Sequence, residues 1–170
     1  GAGTDVDVER AYNEFWWERG KSMGRTSMIT DPVDGRIPAL TPAGQKQADE
    51  LAARREALGK ADSWESRNLH ERCIVYHSVP PLPTGYNNNY QIVQSPGYVA
   101  MFSEMIHEVR IIPIDNRPHA SSAIRGQFGD SRGHWEGDTL VVDTTNFTPL
   151  NDLNQRIRRG TGDTLHVIER

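Results

Sequence analysis

Cysteine is almost missing from this sequence: Cys73 stands alone among 170 residues. A single thiol excludes a disulfide within the chain, a cysteine-built zinc site and an iron–sulfur cluster. Long apolar runs are missing too. No stretch approaches the ~18 residues that cross a bilayer, so no membrane span is expected. Positive charge is in deficit, with 19 Lys and Arg against 23 Asp and Glu and a formal net charge of −4. Nucleic acid is therefore not an expected partner, because backbone binding needs a concentrated positive field. No internal repeat is found, which argues against solenoids and propellers. The opening Gly1-Ala2-Gly3-Thr4 has no basic-then-apolar leader pattern and reads as a trimmed end.

What is present suits one packed domain. Hydrophobic residues make up 36% and aromatic residues 8%, too much apolar material for wholesale disorder. The first 72 residues read as a helical and extended arm. Val8, Ala11, Tyr12, Phe15 and Trp16 share one helical stripe ahead of Gly20. A second helix is expected to open at Thr41-Pro42, a cap residue followed by Pro at the first helical position, and to stop at Gly59. Its apolar side is Ala48, Leu51, Ala52 and Leu58.

From residue 73 to 170 the pattern turns to strands, expected at 73–76, 90–94, 98–104, 107–114, 124–128, 139–145 and 165–169. Ser95-Pro96-Gly97 joins two of them, and Trp135-Glu136-Gly137-Asp138 reads as a hairpin tip. No helical segment fits between these strands, so antiparallel meanders are expected rather than βαβ units. The expected class is α+β: N-terminal helices and extended arms packed on a predominantly antiparallel sheet that can curl into a partial barrel or sandwich. The two segments are expected to form one structural unit. The last strand runs to Arg170; an open edge there would pair with a second copy of the chain or with further chain.

Several blocks are distinctive. They are Asn13-Glu14-Phe15-Trp16-Trp17-Glu18-Arg19-Gly20, Asp34-Gly35-Arg36-Ile37-Pro38-Ala39-Leu40-Thr41 and Tyr86-Asn87-Asn88-Asn89-Tyr90-Gln91-Ile92-Val93-Gln94. Two more are Glu104-Met105-Ile106-His107-Glu108-Val109-Arg110-Ile111-Ile112-Pro113 and Gly129-Asp130-Ser131-Arg132-Gly133-His134-Trp135-Glu136-Gly137-Asp138-Thr139-Leu140-Val141-Val142. In this order they resemble a family of bacterial hypothetical proteins, usually predicted to be exported. The resemblance implies a periplasmic or secreted location and a longer chain in other members. It implies no activity and no catalytic residues.

Chemistry-bearing residues concentrate between Glu104 and His119. One reading makes His107 or His119 a general base, with Glu104 or Asp115 orienting its ring. Arg110 or Arg117 would then hold a carboxylate, phosphate or developing oxyanion. The competing reading is a set of cross-strand ion pairs with His119 in an exposed turn. A single strand through residue 107 would place Glu104, Glu108 and Arg110 on one side, whereas a turn at Met105–Ile106 would break that relation. An alternative cofactor is zinc or iron held through His107, His119 and one carboxylate, although neither His-Glu-x-x-His nor His-x-His occurs. Absent that, no cofactor is expected. His70, His77, His134 and His166 are scattered.

A second group spans 129–138. Arg132 could stabilise negative charge, and Trp135 could stack on a sugar or aromatic ring; the competing reading is a pair of tight turns. Ser131 lacks the Gly-x-Ser-x-Gly elbow of a nucleophile, and Gly129–Gly133 is neither a P-loop nor a dinucleotide fingerprint. Tyr86, Asn88 and Tyr90 offer amide and phenol groups suited to hydroxyls, or else a loop whose Asn residues bond local backbone. The expected function is an exported hydrolase or lyase acting on a small polar organic substrate, a saccharide or oxygenated ring. The alternative is a non-catalytic ligand-binding or assembly module.

Overall fold

The computed structural model describes residues 24, 27–57, 63, 64, 66, 67, 69–76, 79–82, 87–148 and 164–170. Two three-stranded antiparallel sheets carry the structure. In the first, β1 (Tyr90–Ser95) and β2 (Tyr98–Ser103) form a hairpin closed by Pro96-Gly97, with Ser95 opposite Tyr98. Proline presets φ at the first turn position, and Gly97 supplies φ +81° at the second. Strand β3 (Val109–Pro113) returns along β2. The second sheet runs β4 (Asp130–Glu136), β5 (Thr139–Thr145) and β6 (Val167–Glu169). Glu136 stands opposite Thr139 across the Gly137-Asp138 turn, the hairpin tip expected from the sequence. Among the described residues one α-helix, α1 (Pro42–Ala57), precedes both sheets. The described residues are mostly β, an arrangement compatible with the α+β class.

Alternation decides which residues meet. Val99 on β2 stands opposite Ile112 on β3, and both are buried against Val142 of β5, with Met101, Ile114 and Leu140 packed around them. This core joins the two sheets. Gly133 on β4 allows the approach, because a Cβ there would lie 2.9 Å from Cγ2 of both Ile112 and Ile114. The opposite side of the first sheet carries Val93, Ala100 and Ile111 in register, and Val93, Phe102, Val109 and Ile111 on it are exposed.

Several expectations are revised. Helix α1 begins as expected, with Gly44 N–H donating to Thr41 Oγ1 at 3.1 Å, but none of its described residues is buried. Among the described residues it does not pack on a sheet as expected, and its apolar side explains why: Ala48, Leu51 and Ala52 offer little apolar area to bury. The stripe from Val8 to Trp16, the pair Trp16 and Trp17, and Leu58 lie outside the described residues. Residues 73–76 form no strand; Cys73 takes φ +53°, and Ile74 N–H donates to Leu69 O in a turn. Residues 124–128 hold only an isolated bridge between Gly126 and Phe147. At Met105–His107 a 3₁₀ turn intervenes, with Ile106 and His107 both at φ +57°. Strand β3 therefore starts only at Val109, and the single-strand reading through residue 107 does not hold. Residues 130–136, read either as the lining of a polar cleft or as a pair of tight turns, are strand β4.

Candidate functional site

A row of charged and titratable groups lies on the outer side of the second sheet. Strand alternation puts Asp130 and Arg132 of β4 on the same side as Asp143 of β5, because Arg132 and Asp143 stand opposite each other. The loop after β3 brings in His119. Its Nδ1 is 3.0 Å from Asp130 Oδ2, and its Nε2 is 3.1 Å from Asp143 Oδ1. The same Asp143 oxygen lies 2.9 Å from Nε2 of His166, which leads into β6. Arg132 Nη1–H donates to Asp130 Oδ1 at 2.5 Å, and its Nε–H donates to Pro118 O at 3.0 Å.

The His119 loop is thus tied at several points. Ala120 N–H donates to Asp130 Oδ2 at 2.8 Å. The buried Asn146, at φ +56° just past β5, donates from Nδ2 to Ala120 O at 3.0 Å. His119 faces a carboxylate on each ring nitrogen. His166 differs. It presents one nitrogen to Asp143, and its side chain is 54% exposed. A carboxylate that fixes one ring nitrogen while the rest of the ring meets solvent is the arrangement of an oriented acid–base histidine.

The sequence-derived candidates distribute as follows. His119 joins the row, but its carboxylates are Asp130 and Asp143 instead of Glu104 or Asp115. Glu104 accepts a hydrogen bond from Asn89 Nδ2 at 2.8 Å. Asp115 is bound by Arg117, whose Nε–H donates to its two oxygens at 2.8 and 2.9 Å. That guanidinium holds the Asp115 carboxyl down at about 2. Arg117 also donates to Tyr98 OH at 2.8 Å, so it is engaged locally at an exposed turn. His107 is exposed. Trp135 is exposed near the β4–β5 tip, and Asn88 sits half-buried before β1. Tyr86 lies outside the described residues.

Arg110 is not on the outer row. It points between the sheets, where it is buried and makes four hydrogen bonds. Nη1–H and Nη2–H donate to Glu169 at 3.0 and 2.5 Å, Nη2–H also donates to Thr144 Oγ1 at 2.8 Å, and Nε–H donates to Ser131 Oγ at 3.0 Å. A shallow recess lies beside it, with Tyr90, Ser103, Glu108 and Arg110 among apolar walls that include Met101 and Phe128. Buried Glu108 accepts from Tyr76 N–H there. Burial, and then the Glu108 charge, push the Tyr90 phenol above its ordinary range.

His166, Asp143 and Asp130 were not among the primary sequence candidates. Asp130 and Asp143 are placed with Arg132 by the register of β4 on β5, and the sequence of β4 carried no strand alternation to reveal it. His166 carried no local signal, because it lies 23 residues from Asp143. Among the described residues no three His, Cys, Asp or Glu side chains are arranged to hold a metal ion, so His107 and His119 do not meet in such a group. Among those residues no helix is long and apolar enough to cross a membrane. No protein-family model, curated protein or solved structure matches the chain.

Proposed function

We propose that this chain is an acid–base enzyme, a hydrolase or lyase, acting on a small polar organic substrate such as a saccharide or oxygenated ring. The supporting observation is the Asp143–His166 pair: a half-exposed imidazole held at 2.9 Å by a carboxylate that His119 also holds. His166 moves the proton, Asp143 orients it, and Arg132 stands on the same side of the sheet for developing negative charge. In this reading the two sheets form a small sandwich, and the outer row of the second sheet is the reacting surface. The resemblance to exported bacterial proteins supports work in the periplasm or outside the cell.

The test is turnover of aryl esters, aryl glycosides and elimination-prone uronates by the purified chain. Activity on one class, reduced at least a hundredfold by His166→Gln in a folded variant, is the expected result, at the lower end of general acid–base contributions. Activity that survives His166→Gln overturns the assignment. A second reading, a non-catalytic binding or assembly module, draws on the exposed Val93, Phe102, Val109 and Ile111 on one side of the first sheet. It predicts no turnover in any class, together with self-association or partner binding that Ile111→Lys abolishes.

A further inference from the structure

The outer row is one continuous chain of contacts. Arg132 reaches Asp130 at 2.5 Å, Asp130 reaches His119 at 3.0 Å, His119 reaches Asp143 at 3.1 Å, and Asp143 reaches His166 at 2.9 Å. Nitrogen-bearing side chains and carboxylates alternate along it, and it runs over β4, β5, the residue before β6 and one loop. Among the described residues its members are Asp130 and Arg132 from β4, Asp143 from β5, His166 leading into β6, and His119 from the loop after β3. Each half-buried carboxylate is held from two sides. Asp130 takes Arg132 on Oδ1, and His119 with Ala120 N–H on Oδ2. Asp143 takes both histidines on the same oxygen.

From this we infer that Asp130 is a positioning residue for His166, acting through His119 and Asp143 without touching His166 itself. The inference rests on the assignment of His166 as the acid–base group. Its physical basis is the geometry of the His119 ring, which presents one nitrogen to each carboxylate and is held between them. A hydrogen bond to an ionised carboxylate is about twice as strong as a neutral one. When Asp130 loses its charge, the His119 ring loses its anchor on one side. Asp143 then loses the fixed partner on its Oδ1 and with it its orientation. The ring of His166 is released with it. Asn146 holds the same loop through Ala120 O without involving Asp130, whereas Ala120 N–H and Arg132 are themselves bonded to Asp130, so backbone spectra of the variant must show the loop in place.

The experiment is a ring nitrogen–proton correlation spectrum of the uniformly labelled native chain, Asp130→Asn and Asp130→Glu, at one mildly acidic pH. The native protein is expected to show protected Nε2–H signals for His119 and His166. In Asp130→Asn the His166 Nε2–H is expected to exchange roughly tenfold faster, as loss of one charge-assisted bond implies, and Asp130→Glu restores protection. Change confined to His119, with His166 as in the native chain, overturns the inference. If backbone spectra show that Asp130→Asn is unfolded, His119→Gln takes its place: its amide can still donate to Asp143 but carries no charge, and the same loss at His166 is expected. Unchanged His166 protection in a folded His119→Gln chain overturns the inference equally. These readouts need no turnover. Coupled ring signals without activity in any substrate class would leave the coupling standing and remove the enzyme assignment, whereas activity lost in His166→Gln but uncoupled from residue 130 would do the reverse.

Discussion

Arg110 on β3 grips Glu169 on β6 through two hydrogen bonds of 3.0 and 2.5 Å, with the arginine side chain 9% exposed and the glutamate 18%. Removing one partner leaves a charge buried between the sheets. Arg110→Ala or Glu169→Ala is therefore expected to lower stability by about 3–5 kcal/mol, read from urea unfolding. The double variant Arg110→Met with Glu169→Leu should recover most of that loss, because no lone charge remains. Equal losses in the single and double variants would show that the pair does not act as a unit.

Gly133 and Gly129 fail for different reasons. A methyl group at Gly133 meets the Cγ2 methyl groups of Ile112 and Ile114 at 2.9 Å, so Gly133→Ala should cost about 1–3 kcal/mol, the range for overpacking. Ile112→Val in the same chain should not relieve it, because valine keeps that methyl group. At Gly129 the added atom lies 2.4 Å from Thr145 O at φ +67°, and backbone gives way less readily than a side chain. Gly129→Ala should have the lower melting temperature of the two, and no partner substitution should rescue it.

Tyr90 sets an alkaline limit. An unfolded tyrosine ionises near its ordinary 10.0, whereas burial and the Glu108 charge raise native Tyr90 above that, against an opposing hydrogen bond with Ser103. Above pH 10 the unfolded chain releases a proton that the native one keeps. Stability is therefore undiminished below 10 and falls as pH climbs through the raised native value. Tyr90→Phe should flatten that alkaline decline, measured as the denaturant midpoint against pH. An equally steep decline in the variant would place its cause elsewhere.

Asp115 responds at the other end of the scale. Its hydrogen bonds from Arg117 hold its carboxyl at about 2, against an ordinary 3.8. The depressed value means that any stabilisation is present above about 3.8 and lost as pH falls through about 2. The pair is exposed, so its effect on unfolding should be slight and screened by salt. Carbon NMR of the Asp115 carboxyl should show the low midpoint in the native chain and a return toward 3.8 in Arg117→Ala.

The second sheet shows how far sequence reasoning reached. The run Thr139-Leu140-Val141-Val142 announced β5, but its partner β4 reads Asp-Ser-Arg-Gly-His-Trp-Glu and looked like turns. Its inward residues at 131 and 133 are Ser and Gly, so the usual apolar alternation was absent. Gly133 is small because Ile112 and Ile114 need the space, and Ser131 is polar because Arg110 needs an acceptor. Both requirements come from other strands. The turn at Met105–His107 was left open by the sequence for a similar reason: β-branched and aromatic neighbours continue the strand pattern through it, and nothing local marks Ile106 and His107 for left-handed backbone.

Local chemistry by itself determined the hairpins at Pro96-Gly97 and Gly137-Asp138, the cap at Thr41, the antiparallel α+β class and the exclusion of cysteine-based metal centres. Each depends on residues a few positions apart, whose backbone preferences act without regard to the rest of the chain. Tertiary structure alone decided where the charges go. Arg110 left the set of substrate-binding candidates to join Glu169, 59 residues away, and His166 entered the candidate site through Asp143. Which carboxylate meets which cation depends on strand register and on how the two sheets face each other, and those are settled only when the apolar side chains of distant strands pack.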